Sequence, residues 1–104
     1  MALRIVLAPS ARDELAEIWS YIAADSPDAA DLAIERIVEG LDRLVLFPRS
    51  GRPRNELAQG LRSYFIMPRH TVYYRIVDDR IEVAHVIHHA RDVSKVFPPD
   101  RERD

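Results

Sequence analysis

The chain contains no cysteine, and this excludes a disulfide framework, a thiolate metal site and a cysteine nucleophile. Only three glycines are present, too few for the glycine-rich loops that cradle phosphates. No H-E-x-x-H, G-x-G-x-x-G, P-loop or G-x-S-x-G motif occurs. Long apolar runs are also missing: the first, Leu3 to Ala8, is interrupted by Arg4 and stops at Pro9. It is too short for a signal sequence or a bilayer span, so the expected location is the cytoplasm and no membrane partner is expected. Lysine is nearly absent, with Lys95 the single example among fifteen cations.

What is present fits one small domain. At 104 residues the chain has room for one core and one site. The formal net charge of −2 conceals a segregated distribution. Residues 1–42 carry nine acids against three bases, residues 43–75 one acid against seven bases, and residues 76–104 seven acids against five bases. The middle third is therefore a block of arginine, whose planar fork suits carboxylate, phosphate and aromatic partners. A blander reading has the same arginines solubilising a loop and pairing with acidic helices.

The apolar periodicity sets the order of elements. Leu3, Ile5 and Leu7 alternate with Arg4 and Val6, which predicts a short strand with one buried face. Ser10, with Asp13 three residues later, has the form of a helix N-cap. Ala11, Leu15, Ile18, Trp19 and Ile22 then form a helical stripe, with Arg12, Asp13, Glu14 and Glu17 on the other side. That helix ends near Ala24 or Asp25, and Ser26-Pro27 starts the next, with serine at the cap and proline in the first turn. A second stripe runs from Ala30 through Ile34, Ile37, Leu41 and Leu44 to Val45, closed by Phe47-Pro48. Residues 48–55 are rich in turn formers and arginine and read as an ordered loop.

Three strands follow, Leu61 to Ile66, Thr71 to Val77 and Arg80 to Ile87, joined through Pro68-Arg69-His70 and Asp78-Asp79. Neither aspartate is the glycine a two-residue hairpin favours, so a slightly longer loop is an alternative. Both faces of the last strand are largely apolar, which predicts an interior strand covered by the helices on one side and by something else, a partner being one source, on the other. The expected fold is α+β, in the order β-α-α-β-β-β, with a helical hairpin packed on a small antiparallel sheet. Residues 1–97 form the domain, and residues 98–104 read as a fraying tail.

His85, His88 and His89 suggest a metal at first sight, but strand alternation sends His85 and His88 to opposite faces. No metal and no cofactor is expected. A second constellation joins Arg54, Arg62, Arg75, His88 and Arg91 with Tyr64 and Tyr73. Alternation groups Arg62 with Tyr64 and Tyr73 with Arg75. Such a surface can hold a nucleic-acid backbone and stack bases, or bury acidic and aromatic residues of a protein, and Tyr73 and Tyr74 can equally be core residues.

Five segments in register carry a family resemblance: residues 10–22 (SARDELAEIWSYI), 47–54 (FPRSGRPR), 60–63 (GLRS), 74–76 (YRI) and 86–92 (VIHHARD). Together they resemble the hallmark stretches of the RelE/ParE toxin superfamily, in its ParE branch, from about Leu3 to Phe97. The resemblance implies the toxin of a type II toxin–antitoxin system, neutralised by a ParD-like antitoxin whose C-terminal segment folds over it. ParE-like members inhibit DNA gyrase and are not enzymes, whereas RelE-like members cut messenger RNA on the ribosome.

Ribosome-dependent cleavage needs cations on a phosphate and an acid–base side chain near the C-terminus. The single lysine, the negative net charge and the lack of any tyrosine after Tyr74 favour the gyrase inhibitor, and direct nucleic-acid binding by the toxin alone is not expected. The target-binding candidates are then Arg54, Arg62, Arg75, His88 and Arg91. In the alternative, an mRNA endoribonuclease, Arg62 and Arg75 hold the phosphate and His88 or His89 supplies the acid or base.

Overall fold

The computed structural model describes residues 3–66, 68–88 and 97. Strand β1 (Arg4–Leu7) leads into helices α1 (Pro9–Ala23) and α2 (Pro27–Leu46), followed by β2 (Arg52–Pro53), β3 (Arg62–Ile66), β4 (His70–Val77) and β5 (Arg80–His88). The architecture is α+β, two helices on a sheet of order β1-β5-β4-β3-β2. Strands β2 to β5 are antiparallel, but β1 runs parallel to β5, with Arg4 opposite Arg80 and Leu7 opposite Val83. The sheet is therefore mixed. The short strand β2 pairs Arg52 with Ser63 inside the stretch expected to be loop. The expected tail, residues 98–104, lies outside the described residues.

Helix α1 begins two residues earlier than expected, with Ala8 and not Ser10 at its N-cap position. Pro9 occupies its first turn, and no side chain caps it. Ser10 does other work: its hydroxyl donates to the Ala84 carbonyl at 2.7 Å. In α2 the expected cap is present, with Ser26 Oγ accepting from the Ala29 amide at 3.1 Å and Pro27 following it. The hairpin is tied by Trp19, whose indole N–H donates to Asp31 at 2.9 Å.

The core lies between the hairpin and one face of the sheet. Ala11, Ile37, Leu41 and Leu44 meet Ile66, Val72, Tyr74, Ile81, Val83 and Val86. Burying each large aliphatic side chain here stabilises the fold by about 1.5–3 kcal/mol. Strand alternation sends Leu61, Tyr73 and Ile87 to the opposite face, where they form a second cluster. Leu57 and Ala58 from the loop before β3, together with Phe97, pack against that cluster. The second face of β5 thus finds part of its cover within the chain.

Two local features shape the site. Asp78 takes a left-handed backbone (φ 54°), which lets a two-residue turn close on the Val77–Arg80 pair. A short aspartate side chain tolerates that region better than most. Strand β5 also carries a bulge: Tyr73 faces His85 and Tyr74 faces Val83, so Ala84 is the extra residue.

Candidate functional site

The arginine-rich loop after α2 is held from beneath. Tyr74, fully buried on the helix-facing side of β4, donates its hydroxyl to the Pro48 carbonyl at 2.7 Å and accepts the Gly51 amide at 3.0 Å. Burial is the largest influence on this phenol and raises its pKa above the ordinary value of 10.0, outweighing the Gly51 amide and the nearby Arg62 charge. The hydroxyl therefore stays protonated and donates. Any Cβ at Gly51 would collide with it, so the close approach requires glycine. Ser50 closes the turn through its hydroxyl and amide, both donating to the Phe47 carbonyl.

Arg62 is part of this brace. Its Nη1 donates to the Gly51 carbonyl at 2.8 Å and the Arg49 carbonyl at 3.3 Å. It shares the helix-facing side with Tyr64 and Tyr74, because Arg62 pairs with Tyr74 and Tyr64 with Val72. Arg75, one residue beyond Tyr74, projects from the other face and is exposed. The expected joint action of Arg62 and Arg75 on one phosphate is thus corrected: the sheet stands between them, since adjacent residues on a strand point oppositely.

The remaining candidates are scattered. Arg54 lies on the Tyr73 side, its guanidinium carbon 5.9 Å from that ring centroid and its Nε 2.7 Å from Glu56. The Glu56 hydrogen bond is the main cause raising its pKa. His88 sits on the helix-facing side, edge-on to His70 with centroids 5.6 Å apart. His89 and Arg91 lie outside the described residues. Tyr73 and Tyr74 are core residues, 3% and 0% exposed, so neither offers a face for a base to stack on.

His88 and His70 belong to a groove of about 1080 Å³ between the helical hairpin and the far ends of β4 and β5. Ile18, Ile22, Leu32, Ile37 and Val86 give it an apolar lining. Glu17 of α1 and Asp25 just after that helix make one lip acidic, and Arg36 and Arg69 make another part of the rim basic. Tyr21, 84% exposed, stands at its edge.

One constellation escaped the sequence reading. Strand β1 stops at Leu7, and the edge of β5 beyond Val83 is completed by side chains of α1. Glu14 accepts the Val86 amide on Oε1 at 2.9 Å and meets His85 Nδ1 on Oε2 at 2.9 Å. The ring of His85 stands edge-on to Phe97, which also stacks on Tyr73. A signal was available: Glu14 is three residues after Ala11 and four before Ile18, so it sits on the apolar stripe and not opposite it.

The fold and the arginine loop on its sheet define a class, and comparison with known proteins agrees. The family described as ParE toxin of type II toxin-antitoxin system, parDE, matches residues 5–93. The toxin ParE1 of Mycobacterium tuberculosis is 31% identical over 97 residues, covering 91% of this chain and 98% of that protein. The toxin RelE3 of Caulobacter vibrioides is 26% identical over 84 residues, covering 81% and 91%. Among solved structures, one described as the chromosomal ParDE system from P. aeruginosa superposes with a TM-score of 0.71 at 21% identity, covering 84% of this chain and 96% of that one. The RelBE2 toxin–antitoxin complex of M. tuberculosis superposes with a TM-score of 0.60 at 24% identity, covering 85% and 99%.

The chain belongs to the ParE toxin family of type II toxin–antitoxin systems. No helix among the described residues is long and apolar enough to cross a membrane.

Proposed function

We propose that this toxin arrests growth by inhibiting DNA gyrase through protein–protein contacts and is neutralised by a ParD-like antitoxin. The observation that carries the gyrase reading is the separation of the groups an RNA-cleaving site needs. Arg62 gives one nitrogen to bracing a loop, Arg75 is across the sheet from it, and Tyr73 and Tyr74 are buried. Cleavage of a phosphodiester needs cations and an acid–base group converging within hydrogen-bond reach of one phosphate. Contact with a protein target needs only a rigid presentation of charge, which the braced loop supplies.

For the antitoxin, support comes from the groove. Its apolar lining and charged rim suit the apolar face of an amphipathic segment. The similar P. aeruginosa and M. tuberculosis structures are themselves described as toxin–antitoxin systems.

A second reading, RelE-like cleavage of messenger RNA, draws on the similarity to RelE3 and on His85, whose ring is fixed by Glu14 as acid–base histidines commonly are. Expressing the toxin without its antitoxin separates the two. The gyrase reading expects growth arrest with broken chromosomal DNA and intact transcripts. Cleaved transcripts with unbroken DNA would establish the second reading instead.

A further inference from the structure

Three ion pairs between arginine and carboxylate occur among the described residues, and they engage Arg4, Arg54 and Arg80. Arg49 and Arg62 are not among them, yet both line one recess of about 310 Å³ at the foot of the braced loop. Pro53 and Ile76 give it apolar side chains, the buried Leu61 borders it, and Asn55 adds an amide. Among the described residues no acidic side chain lines it.

Arg62 is half-buried and gives Nη1 to carbonyl oxygens, which align the guanidinium without neutralising it. A guanidinium has five N–H donors in a fixed fork, so most of its donors remain. A second cation, Arg49, borders the same recess on a backbone that Tyr74, Ser50 and Arg62 hold in place. Two cations near an apolar wall with no counter-charge are stabilised by an incoming anion.

We infer that the Arg49–Arg62 recess binds a single carboxylate, the side chain of an aspartate or glutamate on the toxin's target protein. A carboxylate suits the recess better than a nucleic-acid phosphate does. Nucleic-acid sites pair cations with open aromatic faces, and here no ring among the described residues lines the recess while Tyr73 and Tyr74 are buried. The acidic helical hairpin also opposes a long polyanion, whereas a single acidic side chain enters without crossing it. The inference rests on the gyrase reading only for the identity of the target.

The test has two arms. In the first, the peptide acetyl-Glu-Asp-Glu-amide is titrated into the labelled toxin while arginine Nε–Hε resonances are followed by NMR, with a short oligothymidylate as the competing probe. The expected result is saturable shifts at Arg49 and Arg62, a Kd raised roughly tenfold by Arg49→Gln, and no change with Arg75→Gln on the other face. Absence of shifts at both arginines overturns the inference, as does tighter binding of the oligonucleotide at the same two residues.

In the second arm Arg49→Gln is expected to raise the toxin concentration that half-inhibits gyrase by roughly tenfold, with antitoxin binding unchanged. Inhibition equal to wild type overturns the assignment to the target. If the unaltered toxin leaves gyrase active, the function reading fails while the peptide arm still decides the recess.

Discussion

Removing the Glu14 carboxylate should destabilise the domain more than removing any other charged side chain of α1. The carboxylate accepts the Val86 amide and holds His85, both at 2.9 Å, at the point where β5 has lost its neighbour β1. The side chains of Glu14 and His85 are 13% and 19% exposed, so water replaces little of what is lost. Glu14→Ala removes one charge-assisted hydrogen bond to a backbone amide, about 1.5–3 kcal/mol, and leaves that amide without an acceptor. We expect a loss of about 2–3 kcal/mol.

Glu14→Gln keeps an acceptor oxygen for Val86 and should lose only about 1 kcal/mol. Urea denaturation followed by circular dichroism measures both, read as a shift of midpoint at constant slope. As a control on the same helix, Glu17→Ala should stay within about 0.5 kcal/mol of wild type. A Glu14→Ala protein that unfolds at the wild-type urea concentration would refute the idea that α1 completes the β5 edge.

Other expectations follow from the same geometry. Tyr74→Phe removes the hydroxyl shared by Pro48 and Gly51 and should lower stability by about 1–3 kcal/mol in urea titrations. Because the folded phenol titrates above its ordinary value of 10.0, its contribution is complete below that pH. As pH rises past it, ionisation favours the unfolded chain, so wild-type stability should fall more steeply than that of Tyr74→Phe. Ile37→Ala empties a fully enclosed position between α2 and the sheet and should lose about 2–5 kcal/mol by thermal or urea melting. Arg75→Glu, exposed and without an ion pair among the described residues, should leave stability within about 0.5 kcal/mol. Arg62→Glu should destabilise the loop and reduce target inhibition together, which a proteolysis time course beside an inhibition curve can show.

Element order was legible because each helix carries a 3.6-residue stripe and each long strand a β-branched or aromatic run. Ser26-Pro27 marked the start of α2 to the residue. The partner of β1 was not legible, since pairing direction depends on where the hairpin returns the chain and leaves no local pattern in Leu3 to Leu7. The β5 bulge was equally hidden: Ala84 looks like any other strand residue, and only the facing Tyr73 and Tyr74 reveal it.

At the candidate site, residue type told only part of what a side chain does. An arginine on a strand suggests a binding group, and nothing local in the sequence shows that Arg62 also braces backbone carbonyls, because this depends on a loop conformation that buried Tyr74 helps to fix. Alternation grouped Arg62 with Tyr64 and Tyr73 with Arg75, but it could not tell whether the two pairs share a face, because that depends on the register that sets Arg62 opposite Tyr74. The phosphate pairing failed because it assumed a common face that this register denies.

The most direct measurement is a supercoiling assay with purified gyrase, relaxed plasmid, ATP and increasing toxin, followed by detergent and protease to reveal trapped breaks. The proposed function predicts lost supercoiling with accumulation of linear DNA, both abolished by prior addition of the antitoxin. Unimpaired supercoiling at saturating, folded toxin would contradict it and make ribosome-bound messenger RNA the target to test.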